Sequence, residues 1–209
     1  MERRENQVNL RGTVAESPVL SHQSRGLDFY RFPLEVPRLS GKEDRLNILV
    51  PGGLSLPRKG DYVAVAGEIR SFNNRSGLGN RLVITVLARS LTAGIGEPCN
   101  LVRLRGRLCK PPVRRRTPLG RDICDLLLAV DRRYRRSDYL PCIAWGALAH
   151  RCGDLLPGDP LWLVGRLQSR VYWKTLANET QERTAFEVSI SSLEDPDSEG
   201  DGSNFLGGA

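Results

Sequence analysis

The sequence predicts an all-β chain made of two consecutive copies of one five-stranded domain, the second with a short helix between its third and fourth strands. Three observations predict it. The first is an internal repeat: Val8-Asn-Leu-Arg-Gly-Thr-Val14 returns 94 positions later as Val102-Arg-Leu-Arg-Gly-Arg-Leu108. At the same offset, Phe32-Pro-Leu-Glu-Val-Pro-Arg38 faces Leu126-Leu-Leu-Ala-Val-Asp-Arg132, and Gly60-Asp-Tyr-Val-Ala-Val-Ala-Gly67 faces Gly158-Asp-Pro-Leu-Trp-Leu-Val-Gly165 at an offset of 98. Three matches in one order, with small drift, mark a duplicated unit. The second is short apolar runs and period-two alternation bounded by Gly, Pro and Asp, the pattern of strands. The third is glycine inside the strands themselves.

Taken in order, the strands of the first copy fall at 7–15, 27–37, 45–50, 61–72 and 81–89, and those of the second at 101–109, 122–132, 139–145, 160–172 and 184–193. Gly12 and Gly106 sit inside the first strands, and Gly67 and Gly165 inside the fourth, where glycine marks a bulge or sharp bend. A small barrel needs such bends to close. Between strands 3 and 4 the first copy has Pro51-Gly-Gly-Leu-Ser-Leu-Pro-Arg-Lys59, which is hostile to helix, whereas Gly146–Leu156 permits one or two helical turns. The expected domains are therefore 1–93, a linker at 94–99, 100–193, and a tail at 194–209. The tail has no periodicity and reads as disordered. Trp162 lies on an alternating strand and is expected to pack inside.

The stretch Leu140–Arg170 carries a resemblance. Its order, an apolar pair, an aromatic (Trp145), Gly146, x-Leu-Ala, a later Gly158-Asp159, then apolar-x-Gly165-Arg-Leu-x-Ser-Arg170-x-Tyr172, closely resembles the bacterial and phage-type single-stranded DNA-binding proteins. That resemblance implies a five-stranded OB barrel with a helix between strands 3 and 4. It makes the chain two tandem OB folds, the first a degenerate, helix-less one. It implies a protein that coats and protects unpaired DNA during replication, recombination and repair. Related proteins present four OB folds to the strand, so a homodimer is expected. Alternatives are a primosomal accessory protein similar to primosomal replication protein N, or a replisome protein-interaction module with secondary nucleic-acid binding. An RNA ligand also fits, since stacking does not distinguish sugars.

Charge fits a polyanion partner. The net charge is +7, although residues 194–209 hold five acidic residues and no basic one. The rest of the chain is thus strongly basic. No apolar run approaches the ~20 residues of a membrane span, and no apolar stretch follows the basic N-terminus as a secretory signal requires. The expected location is the cytoplasm, with the nucleoid. Five cysteines without a Cys-x-x-Cys pair argue against zinc and against a disulfide framework. The two histidines, His22 in a polar loop and His150 on the short helix, join no catalytic constellation. No cofactor, metal or enzymatic activity is expected.

Binding single strands requires cations for phosphates and flat side chains for bases. The basic residues concentrate in the loops 110–121 and 131–138 of the second copy, which flank the DNA path in the resembled family. Arg114, Arg115, Arg116, Arg132, Arg133, Arg135 and Arg136 are the phosphate candidates, seven arginines with only Asp131 and Asp138 nearby. Trp145 occupies a stacking position of the family. Arg170 and Tyr172 match its Arg-x-aromatic at the start of the strand 4–5 loop, with Trp173 beside them. Tyr134, amid arginines, is a further platform; Phe72 and Tyr30 are weaker ones. The acidic tail with Phe205-Leu206 resembles the family's partner-docking tail, but Gly207-Gly-Ala209 separates Phe205 from the terminus. Replication and repair proteins are the expected partners there.

Overall fold

The computed structural model describes residues 6–74, 80–132, 136–176 and 179–194. Its strands are β1 (Asn6–Val14), β2 (Val19–Ser24), β3 (Leu27–Pro37), β4 (Glu43–Pro51), β5 (Tyr62–Asn73), β6 (Leu82–Ala93), β7 (Cys99–Leu108), β8 (Val113–Arg116), β9 (Asp122–Arg132), β10 (Arg136–Trp145), β11 (Pro160–Leu176) and β12 (Glu179–Glu194). The helix α1 (Ala147–Gly153) separates β10 from β11. The fold is thus mostly β, with one short helix among the described residues. Ten of the strands match the expected ten. The other two, β2 and β8, form in stretches that read as loops, because each folds back on the next strand as a hairpin. The β11–β12 hairpin is also longer than expected: pairing continues out to Leu176 and Glu179.

In each half the pairings return to their starting strand. β1 pairs β3, β3 pairs β4, β4 pairs β6 in parallel, β6 pairs β5, and β5 pairs β1. The second half repeats the circuit through β7, β9, β10, β12 and β11. Closing so few strands forces backbones close together at the corners, and glycine occupies those corners. A Cβ on Gly12 would lie 2.2 Å from the Glu35 carbonyl oxygen, and one on Gly106 2.3 Å from that of Ala129. Gly67 and Gly165 meet the carbonyls of Leu87 and Ser189 in the same way, each beside a register shift in its hairpin.

Inside each ring the inward positions are apolar and buried, for example Leu10, Leu34 and Ile48 in the first and Leu104, Leu128 and Leu163 in the second. Each such side chain contributes on the order of 1.5–3 kcal/mol by leaving water. β1 also pairs antiparallel with β7, from Asn6↔Leu104 to Arg11↔Cys99, so both rings belong to one twelve-stranded sheet. Within each ring an asparagine, buried at Asn6 and half-buried at Asn100, stitches the first strand to the fourth. The Asn6 amide donates to the Ile69 carbonyl at 2.7 Å and accepts from its N–H at 2.8 Å. Asn100 does the same with Leu167, at 2.7 and 2.9 Å.

Candidate nucleic-acid interface

Residues opposite each other in a sheet share a face, and on the outer face of the second half they form cross-sheet rows. One row runs Arg166, Ser189, Ile143, Asp125, Val113 across β11, β12, β10, β9 and β8. The next holds Trp145, Ile123 and Arg115. Ile123 and Ile143 are nearly fully buried and give this face an apolar floor, while Trp145 stays 37% exposed. Trp145 is the last residue of β10. Gly146 follows at φ 56, a left-handed conformation that turns the chain into α1, and its N–H donates to the Asp122 carbonyl at 2.9 Å. A rigid strand end therefore presents the indole.

Arg115 of the edge strand β8 lies on this face, in the row of Trp145, while Arg114 and Arg116 take the opposite phase of the same strand; all three are more than half exposed. They are not uncompensated, as the loop reading had them. Pairing of β8 with β9 brings Asp125 to Arg115, which donates to both its carboxylate oxygens. That hydrogen bond, ahead of other effects, pushes the Arg115 pKa up. Arg116 faces Asp122 at 3.6 Å, and Arg114 faces Asp154 at 3.9 Å with its stem against Gly153. His150 also reaches Asp122, at 3.2 Å. Each arginine is thus held in place by an acid yet keeps donors toward solvent.

Arg132 departs from the expectation of a phosphate contact. Its guanidinium donates through Nε and Nη2 to the fully buried Asp138 and, at 2.8 Å, to the Ser71 carbonyl of the first half. Burial is the main cause that lowers its pKa. Arg136 is exposed at the start of β10. Arg133, Tyr134, Arg135 and Phe205 lie outside the described residues.

The Arg170 and Tyr172 pair belongs to an unbroken strand rather than to the start of a loop. Successive side chains of a strand point to opposite faces, so Tyr172 and Trp173 are separated. Arg170 and Tyr172 share the outer face with Gln168, and the Arg170 guanidinium carbon sits 5.8 Å from the Tyr172 ring centre. The Tyr172 hydroxyl lies 3.2 Å from Asn80 Oδ1 of the first half. Trp173, 67% exposed, lies with Val171 on the other side of the hairpin. Tyr172 pairs with Arg183, six residues before Ser189, while Trp145 lies two beyond Ser189's partner Ile143. Tyr172 and Trp145 are therefore about eight strand residues apart, roughly 26 Å, along one face.

Trp162 is not packed inside. Leu161, Leu163 and Leu167 take the inward phase of β11, leaving Trp162 half-buried on the outside beneath Arg105, whose guanidinium carbon is 4.9 Å from the ring centre. His22 is likewise not in a loop; it lies on β2, stacked on Phe29 with ring centres 4.9 Å apart. Several polar residues of the outer face escaped sequence reasoning. Asp125 is one; Arg166, Gln168 and Glu187, linked by hydrogen bonds of 3.1 and 2.6 Å, are the others. For Arg166 and Gln168 the alternation in β11 was the available signal. In the first half the same face forms a groove of about 440 Å³ lined by Val19, Arg31, Arg45, Leu49, Phe72 and Val83.

Among the described residues no group of His, Cys, Asp and Glu could hold a metal ion, and no helix is long and apolar enough to cross a membrane.

Residues 99–195, which contain this entire second-half face, match the model of the single-strand binding protein family. That segment is similar to the single-strand binding protein family. The chain is similar to the single-stranded DNA-binding protein of Thermus aquaticus, 36% identical over 94 residues that cover 43% of this chain and 35% of the relative. It is also similar to single-stranded DNA-binding protein 2 of Listeria innocua, 35% identical over 80 residues covering 35% and 50%. The chain thus spans half or less of the length of these curated relatives. Over its fold the similarity is wider. A crystal structure of a deletion mutant of the Thermus aquaticus single-stranded DNA-binding protein superposes with a TM-score of 0.74 at 26% identity, covering 94% of this chain and 96% of that one.

Proposed function

We propose that the chain binds and coats single-stranded DNA, with its primary surface on the outer face of the second half. The observation that carries the reading is Trp145, exposed over the Ile123–Ile143 floor with Arg115 of β8 in its own row, inside the segment that matches the family model. Bases stack on Trp145 and Tyr172, and phosphates pair with Arg114, Arg115, Arg116, Arg136 and Arg170. Trp173, on the other side of its hairpin, and Arg133, Tyr134 and Arg135, which lie between β9 and β10 in the sequence, add further contacts. Such binding tolerates any sequence, because every base has a π-face.

In this reading each closed ring of five strands is an OB barrel, the first spanning 1–93 and the second 100–193 with a linker between. The first half adds a weaker subsite at the Phe72 groove, and two copies of the chain supply four barrels. The protein acts in the cytoplasm, and residues 194–209 dock replication and repair proteins. The test is tryptophan fluorescence on titration with oligo-dT of increasing length at two salt concentrations. Strong, salt-sensitive quenching is expected, with affinity falling by a slope of about −0.7 per neutralised phosphate. Weak binding without quenching would put the replisome-interaction alternative first.

A further inference from the structure

Each half sends a hairpin arm over the other, and each arm is gripped by a buried carboxylate of the half it crosses. Asp44, 1% exposed and in the first half, accepts from Arg38 and, at 2.8 Å, from the N–H of Ser169 in the second-half arm. Arg38 also donates to the Ser169 carbonyl at 2.9 Å, and the Arg45 N–H donates to Ser169 Oγ at 2.9 Å. Asp138, in the second half, repeats this. It accepts from Arg132 and from the N–H of Ser71 in the first-half arm, Arg132 donates to the Ser71 carbonyl, and the Tyr139 N–H donates to Ser71 Oγ at 2.7 Å. The partners follow the sequence repeat, 94 positions between Arg38 and Arg132, between Asp44 and Asp138 and between Arg45 and Tyr139, and 98 between Ser71 and Ser169. A second arginine side chain completes each site: Arg166 lies 3.4 Å from Asp44 and Arg70 lies 2.9 Å from Asp138.

We propose that Asp44 and Asp138 are positioning residues for single-stranded DNA, each fixing the arm of the opposite half. This rests on the single-stranded DNA reading above. Ser169 directly precedes Arg170, and Ser71 directly precedes Phe72, so each clasp closes one residue before a candidate DNA contact. Beyond Ser169 the arm opens to solvent on one side, with Val171 and Trp173 more than half exposed, while Asn80 of the first half reaches the Tyr172 hydroxyl and the Thr184 carbonyl. An arm freed at Ser169 must be ordered again when DNA binds, which costs affinity. The control is therefore crossed: Asp44 governs Arg170 and Tyr172, over a hundred residues away in sequence, and Asp138 governs Phe72.

The test compares Asp44→Asn, Asp138→Asn and the milder Ser169→Ala in the full chain, by oligo-dT affinity and by amide hydrogen exchange. Removing a negative charge from a basic protein should by itself tighten binding to a polyanion. Loss of positioning predicts the reverse: affinity about tenfold weaker for Asp44→Asn and a few-fold weaker for Ser169→Ala. Exchange should rise in residues 170–184 for Asp44→Asn and in residues 72–84 for Asp138→Asn. If Asp44→Asn fails to fold, Ser169→Ala decides. Unchanged or tighter binding by folded variants, or exchange that rises in the arm of the mutated residue's own half, overturns the proposal. If the unmutated chain does not bind oligo-dT, the DNA reading fails, and the crossed exchange pattern alone still reports whether the clasps hold the arms.

Discussion

Replacing Trp145 with alanine separates stacking from charge. The indole is 37% exposed, so about two thirds of its surface rests on protein. Full burial would put the stability cost at ~3–5 kcal/mol; scaled to the buried share, about 2–3 kcal/mol is expected, a lowered melting temperature but a folded chain. A stacked base is worth ~1–3 kcal/mol, which converts to a loss of affinity between about fivefold and 150-fold. No charge is removed, so the slope of log affinity against log salt should stay as it was. Arg116→Ala should do the opposite, reducing that slope by ~0.7 for one lost phosphate contact with a smaller loss at high salt. Anisotropy of a labelled oligo-dT at four salt concentrations reads both quantities. The reasoning is refuted if folded Trp145→Ala binds within twofold of the parent, or if its salt slope falls as far as that of the arginine variant.

Three further outcomes are expected. Gly106→Ala should cost about 1–3 kcal/mol by overpacking, because its Cβ meets the Ala129 carbonyl at 2.3 Å; a thermal melt unchanged within a degree would remove the argument that ring closure needs glycine there. Asn100→Ala leaves the Leu167 N–H and carbonyl without their side-chain partner, and about 1–3 kcal/mol of stability should be lost, seen as faster exchange of the Leu167 amide. Burial raises the thiol pKa of Cys142, and that of Cys152 to about 11, whereas an unfolded thiol ionises near 8.5. The unfolded state then releases protons first, so stability is full below about pH 8.5 and declines as pH rises from there toward 11. Denaturant midpoints measured from pH 7 to 10 should fall above pH 8.5, and a flat profile would contradict the burial of these thiols.

The strand order of both halves was legible because the repeat and the period-two alternation are local signals. β2 and β8 were not, since a polar or arginine-rich hairpin strand has the composition of a loop and is defined by its partner. The site was partly legible. Trp145 and the β8 arginines are where the residues pointed, but Asp122 and Asp125 are six or more residues away in sequence and become neighbours only through pairing of β8 with β9. Arg132 was misread, although the signal against it was present. Its repeat partner is Arg38, in a half without a basic loop, and a residue shared by both copies at one position is better explained by the fold they share than by a surface only one possesses. Trp162 went the wrong way because both phases of β11 are apolar at their start. The further leucines at Leu163 and Leu167 decide which phase turns inward.

The pairing of β1 with β7 has a consequence for dilution. Two separate chains joined by that strand edge would part as their concentration fell, each exposing an unpaired row of N–H and C=O groups. Here only the residues between Ala93 and Cys99 separate the halves, and a tether so short holds partners at an effective concentration of about millimolar. The joint is therefore indifferent to how little protein is present. Whatever the outer face of the first half binds, its inner edge remains the permanent neighbour of the second.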